Sequence, residues 1–145
     1  MAFKFSLATV LRVRVIAEER EERLLQKILY EISQLNRAMR ETEEAIAASN
    51  VTRLADRFKP VVGRHLHVSY GGVEELRQKR SDIEGQLEKF EQLRTIQVKA
   101  YEAARRDREM LTDMREEKRG VYDVALSRSE QKTLDDNYIA RRGRF

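Results

Sequence analysis

The 145-residue chain has no cysteine and no tryptophan, a single proline (Pro60) and six glycines. Without a thiol there is no disulfide, no cysteine nucleophile and no thiolate metal site. With so few turn-forming residues, an architecture of many short elements has little from which to build its corners. Long apolar runs are missing as well. The longest is the four residues Ala45–Ala48, against the ~20 needed to cross a bilayer. Near the start, Arg12 and Arg14 interrupt the stretch that a signal peptide would keep apolar. The expectation is a soluble, unexported protein.

Several kinds of chemistry are lacking too. Neither G-x-x-x-x-G-K-[ST] nor G-x-G-x-x-G occurs, and the Gly71-Gly72 pair lacks the preceding strand that phosphate-binding loops require. His65 and His67 are two imidazoles without neighbouring acids, a poor metal set. Asp135 and Asp136, being adjacent on a helix, point to different faces and cannot share a proton-transfer task. The chain is expected to be neither an enzyme nor a binder of cofactor, metal or small-molecule substrate.

Charge and helix-forming residues fill the space left by these absences. Charged residues make up 37% of the chain, against roughly a quarter in ordinary soluble domains. The 29 bases and 25 acids are interspersed, so the net charge of +4 forms no basic face of the kind that binds nucleic acid. Abundant Glu, Arg, Leu, Ala, Lys and Gln favour long helices. EEREER (Glu18 to Arg23), with Glu19 four residues before Arg23, has the form of a solvated helix face, with an acidic contact patch as the alternative.

Apolar residues recur at Leu25, Ile28, Ile32, Leu35, Met39 and Ile46 in a 3,4 alternation whose missing step is Thr42. That is a heptad seam. Extended backwards it passes Leu7, Val10 or Leu11, Arg14, Ala17, Glu21 and Leu24, with Ser6 as the expected N-cap. Forwards it reaches Leu54 and stops before Pro60, which disfavours helical geometry in the residue ahead of it. Half of the glycines fall within PVVGRHLHVSYGG (60–72), so this stretch reads as the connector, with Val61, Val62, Leu66, Val68 and Tyr70 able to fold it back on itself. A second stripe runs Leu76, Ile83, Leu87, Phe90, Leu93, Gln97, Ala100, Ala104, Leu111, Met114, Val121 and Ala125, with Asp107 and Lys118 as polar interruptions.

The expected fold is therefore all-α. One single elongated domain over 1–145 forms a long two-helix antiparallel coiled-coil hairpin, with helix 1 over about 6–58, a connector over about 59–72 and helix 2 over about 73–140. A turn near residue 65 sets Leu54 against Leu76, Ile46 against Ile83 to Leu87, Ile28 against Ala104, and Leu11 against Val121. Helix 1 then runs out near Phe5, opposite Leu126. Everything beyond overhangs, with Leu134, Tyr138 and Ile139 to bury and no neighbour in this chain to bury them. A hairpin with one seam predicts a marginal monomer with soft ends. The first 17 residues add Lys4, Arg12 and Arg14 and no acid. That basic start beside the overhang reads as a docking end, the alternative being ordinary surface cations with Arg14 lying along the seam.

Both ends of the chain resemble a known family. FKFSLATVLRVR (Phe3 to Arg14) is similar to the opening of FliJ-type flagellar export proteins, F-x-L-x-x-V-L-x-[LV]-R, through Phe5, Leu7, Val10, Leu11, Val13 and Arg14. EQKTLDDNYIARR (Glu130 to Arg142) resembles the closing pattern E-Q-K-x-L-D-[ED] with its Ala/Arg-rich tail. The middle of the chain matches only in heptad style, and the connector departs from the family pattern.

The resemblance implies a cytoplasmic component of the flagellar type III export apparatus, peripherally associated with the basal body at the inner membrane. It would be shaped like the coiled coil of rotary ATPase central stalk subunits. It implies docking in a hexameric export ATPase ring, promotion of the ring's assembly and activity, and contacts with a membrane export gate protein and export chaperones. Expected ring contacts are Leu7, Leu11, Arg12, Arg14, Glu130, Gln131, Lys132 and Leu134. Expected gate contacts are Tyr70, Val73, Leu76 and Arg80. The stalk of a virulence injectisome is an alternative of the same shape. A homodimerising coiled-coil scaffold is an alternative of another class, and a nucleic-acid-binding hairpin is a third. A stalk is expected to be monomeric without its ring.

Overall fold

The structure is a computed structural model that describes residues 2–56 and 63–143, the side chains of residues 56–71 excepted. It is all-α. Helix α1 spans Ala8–Asp56 (49 residues) and α2 spans Gly63–Arg142 (80 residues), with no strand among the described residues. The two helices pair as an antiparallel hairpin.

Helix α1 contains neither glycine nor proline, so nothing inside it interrupts the ladder. Its first intrahelical bond runs from the Leu11 N–H to the Leu7 carbonyl (2.9 Å), preceded by a turn from the Ala8 N–H to the Phe5 carbonyl (3.1 Å). Leu7, not Ser6, is therefore the cap position. The helix ends at Asp56, just ahead of Pro60. Helix α2 begins at Gly63, about ten residues earlier than expected, and takes Gly71 and Gly72 into its ladder. Glycine lowers helix propensity by about 1 kcal/mol without forbidding the helix, whereas proline removes a donor and clashes. The side chains of His65, Leu66, His67, Val68 and Tyr70, and all of Val61 and Val62, lie outside the described residues.

The hairpin divides into two compact units, Met1–Arg20 with Tyr101–Phe145, and Glu21–Ala100. In the second unit the α1 seam lies where the heptad places it. Ile32 and Thr42 are buried, and Leu25, Ile28, Leu35, Met39 and Ile46 are half-buried. The Thr42 hydroxyl donates to the Ala38 carbonyl one turn back (2.7 Å), which satisfies a polar group with almost no access to water. From α2, Val73 and Ile83 are buried and Leu76, Leu87 and Phe90 half-buried. Leu54 and Leu93, expected in the seam, are exposed; Ser49 and Arg53 take the inner side of α1 near its end. The Gln97 amide donates to the Glu21 backbone carbonyl (3.0 Å) and to the Glu21 carboxylate. Arg80 reaches across to Glu43 (3.4 Å).

In the first unit Leu11 is 8% exposed and Val10 turns outward, which resolves the choice between them. Here α2 departs from its expected frame. The expected and observed seams share Gln97, Ala104, Leu111 and Lys118. They differ in the intervening step, for which the structure takes Arg108, Arg115 and Tyr122 in place of Asp107, Met114 and Val121, while Ala100 and Tyr101 are both half-buried. The residues opposite decide it. Glu18 on α1 receives Arg108 through two bonds (2.6 and 3.2 Å), and Phe3 packs on Tyr122 with ring centroids 5.5 Å apart. Asp107 is left on the flank, where it meets Arg14 (3.3 Å). EEREER is thus only partly a solvated face, because Glu18 and Glu21 both turn toward α2.

These contacts also correct the register. Glu43 faces Arg80 and Phe5 lies beneath Lys118, so partners sit roughly two helical turns closer to the turn than expected. Leu11 faces the region of Leu111, not Val121.

The Arg108 guanidinium holds the Glu18 carboxyl below its ordinary value, against an opposing push from burial. A lowered carboxyl contributes stability that is complete above the unfolded value, roughly 4.3, and disappears as pH falls through the folded value. The melting-temperature gap between the native chain and Glu18→Gln, followed by circular dichroism, is therefore expected to be open at pH 7 and to close as the pH falls below the ordinary carboxylate range. A gap independent of pH would show that the Glu18–Arg108 pair contributes nothing.

Candidate partner-docking surface

The first unit leaves two apolar features exposed. One is the end of α2. Phe3 and Phe5 alternate on one side of an extended segment, and both reach α2, Phe3 at Tyr122 and Phe5 beneath the Lys118 ammonium at 5.7 Å. Coverage ends there. Every described residue from Asp123 to Gly143 is exposed, including Val124, Leu126, Leu134 (68%), Tyr138 and Ile139. The helix holds to Arg142, and the Gly143 N–H closes it on the Ile139 carbonyl (2.8 Å). The expected overhang is present and begins a turn earlier than the expected register put it.

The second feature follows from the change of frame. With Arg115 and Tyr122 turned in, Met114 and Val121 (67% exposed) are left outside, in line with Met110 and Val124. Glu117, Gly120, Val121, Val124, Ala125 and Arg128 line a shallow depression along this side. These positions follow each other at three- and four-residue steps, which is one face of a helix. A second apolar face on α1 consists of Val10, Val13 and Ile16, all exposed.

The expected ring contacts divide into two groups. Arg12, Glu130, Gln131, Lys132 and Leu134 are exposed and Leu7 is half-buried. Leu11 is enclosed against α2 and does not lie open on the surface, whereas Arg14 is exposed and engaged with Asp107 (3.3 Å). The expected gate residues lie in the other unit. Val73 is 1% exposed, Leu76 is half-buried, and Arg80 is shared between Glu43 and Glu84 at 3.4 Å each. The Tyr70 side chain lies outside the described residues.

The residues missed in the sequence are Phe3, Tyr122 and the outer stripe of Met110, Met114, Val121 and Val124. A signal existed for Phe3, since Phe-Lys-Phe alternates with period two, which suits an extended strap rather than a helix. No group of three His, Cys, Asp or Glu side chains placed to hold a metal occurs among the described residues. No described helix is long and apolar enough to cross a membrane. No family model matches the chain, and neither a curated protein nor a solved structure matches it.

Proposed function

We propose that this chain is a non-enzymatic stalk of the FliJ type, a component of a flagellar type III export apparatus that inserts the free end of α2 into a hexameric export ATPase ring. The observation that carries this reading is the bare helix from Asp123 to Gly143, a preformed element whose apolar residues are exposed. The resemblance of Glu130–Arg142 and Phe3–Arg14 to that family's two ends falls on the same unit. A single helical end on a sixfold axis touches the six subunits unequally and biases them into different states, which is a coupling free energy between stalk and ring.

In this reading Glu130, Gln131, Lys132 and Leu134 touch the ring directly, with Arg12 and Leu7 beside them. Arg14, exposed on the flank, stands near them, and Leu11 supports those contacts from within the hairpin. A membrane export gate protein and export chaperones are the further partners, at the cytoplasmic side of the inner membrane. Gate contact falls to Tyr70, Leu76 and Arg80, since Val73 is enclosed.

Leu134→Ala with Tyr138→Ala is expected to reduce stimulation of the cognate export ATPase about tenfold or more, with far-UV helicity nearly unchanged because both side chains are exposed. Undiminished stimulation by the double variant would remove the reading.

A further inference from the structure

We infer that the bare end of α2 pairs with a second copy of itself, antiparallel, through the stripe Val121, Val124, Arg128, Asp135, Ile139 and Arg142. This stands on the helix face and its charges, independently of the export reading. These residues lie on one side of α2 and are all exposed. At 100° per residue the side they occupy is turned well away from Arg108, Arg115 and Tyr122, which face α1.

Charge selects the orientation. In a parallel pair Arg128, Lys132, Asp135 and Arg142 would each meet its own copy, giving four like-charged layers. Turned antiparallel, with Gln131 and Lys132 about the twofold axis, Arg128 of each copy meets Asp135 of the other, and Val124 meets Ile139. The aliphatic stem of Arg142 then covers Val121. Charge also selects the register. A slip of one heptad sets either Arg128 against Arg128 or Asp135 against Asp135 at the axis. Only the unslipped arrangement sets each Arg128 against an Asp135.

Length fits as well. The second copy's helix would end beside Val121, which is where the Phe3 and Tyr122 rings mark the start of the covered hairpin. About six turns of each helix are available, and no part of the described chain stands in the way. That is a small interface, in the size class of weak and reversible complexes. The pair covers the same residues that a larger partner would use, so it dissolves when that partner binds.

The full chain is tested by sedimentation equilibrium across a concentration range, with half-association expected at roughly 10–100 µM. Arg128→Asp and Asp135→Arg, each alone, are expected to weaken self-association about tenfold or more. The double variant, which exchanges the two charges, restores it. Far-UV circular dichroism accompanies each, and exposed positions on a formed helix are expected to leave it unchanged.

Orientation is read separately. Because the chain has no cysteine of its own, Val124→Cys mixed with Ile139→Cys is expected to give a disulfide-linked pair under mild oxidation at least about fivefold faster than either variant alone. Monomeric sedimentation of the native chain to about 500 µM overturns the proposal. So does failure of the double charge exchange to restore association, or Val124→Cys linking to itself as fast as to Ile139→Cys.

Discussion

Val73→Asp is expected to abolish the cooperative melt of the unit formed by Glu21–Ala100. Val73 is 1% exposed, the most enclosed side chain among the described residues, and it shares that unit's interior with Ile32, Thr42 and Ile83. A carboxylate placed there loses its hydration and costs several kcal/mol, a large part of the ~5–15 kcal/mol that holds a typical domain together. Val73→Ile, which keeps the volume and branching nearly the same, is expected to melt within a few degrees of the native chain. Thermal scans at 222 nm separate the two. A Val73→Asp chain that melts like the native one would mean that the side chain is not enclosed. Loss of function on changing Val73 therefore reports collapse of the surrounding helices rather than removal of a contact with a partner.

Phe5→Ala is expected to cost about 3 kcal/mol in the first unit, within the usual range for truncating a buried aromatic. Phe5 is 9% exposed and Lys118 stands over its ring at 5.7 Å, an arrangement worth a further ~0.5–1 kcal/mol where it is partly shielded from water. The physical consequence is specific. The strap of residues before α1 is held by its two phenylalanines, so Phe5→Ala frees it and opens Leu11 to solvent. Hydrogen exchange at the Leu11 amide, bonded to the Leu7 carbonyl, is expected to speed up by two orders of magnitude or more. Phe5→Leu recovers most of the protection. Unchanged exchange in Phe5→Ala would show that the strap contributes nothing to that end.

Sequence and structure agree best where one heptad frame has no rival. From Leu25 to Ile46 every apolar step of α1 lies on the inner face, and the one polar step, Thr42, is buried with its hydroxyl already satisfied. Along α2 two frames were available, sharing Gln97, Ala104, Leu111 and Lys118. Choosing between them required knowing that Glu18 and Phe3 stand opposite, information that lies some ninety residues away in the chain. The register was misplaced for a related reason. The connector is expected to run to Gly72 with its turn near residue 65, yet a proline-free stretch with two glycines still forms helix, and α2 begins at Gly63. The bare end of α2 was legible because it follows from excess length, which survives an error of two turns. The outer stripe of Met110, Met114, Val121 and Val124 was not, because the competing frame had already placed two of its members inside.

The cross-helix pairs carry a consequence for assembly. Interchangeable aliphatic residues at heptad spacing would tolerate the two helices sliding past each other by seven residues, since leucine would then meet leucine again. Thr42 is silent on such an error, because it bonds within its own helix. Glu18 with Arg108 and Glu21 with Gln97 are not silent, for a one-heptad slide parts both pairs at once. The polar steps thus act as a vernier, and the hairpin is proofread at the few places where its interior is least oily.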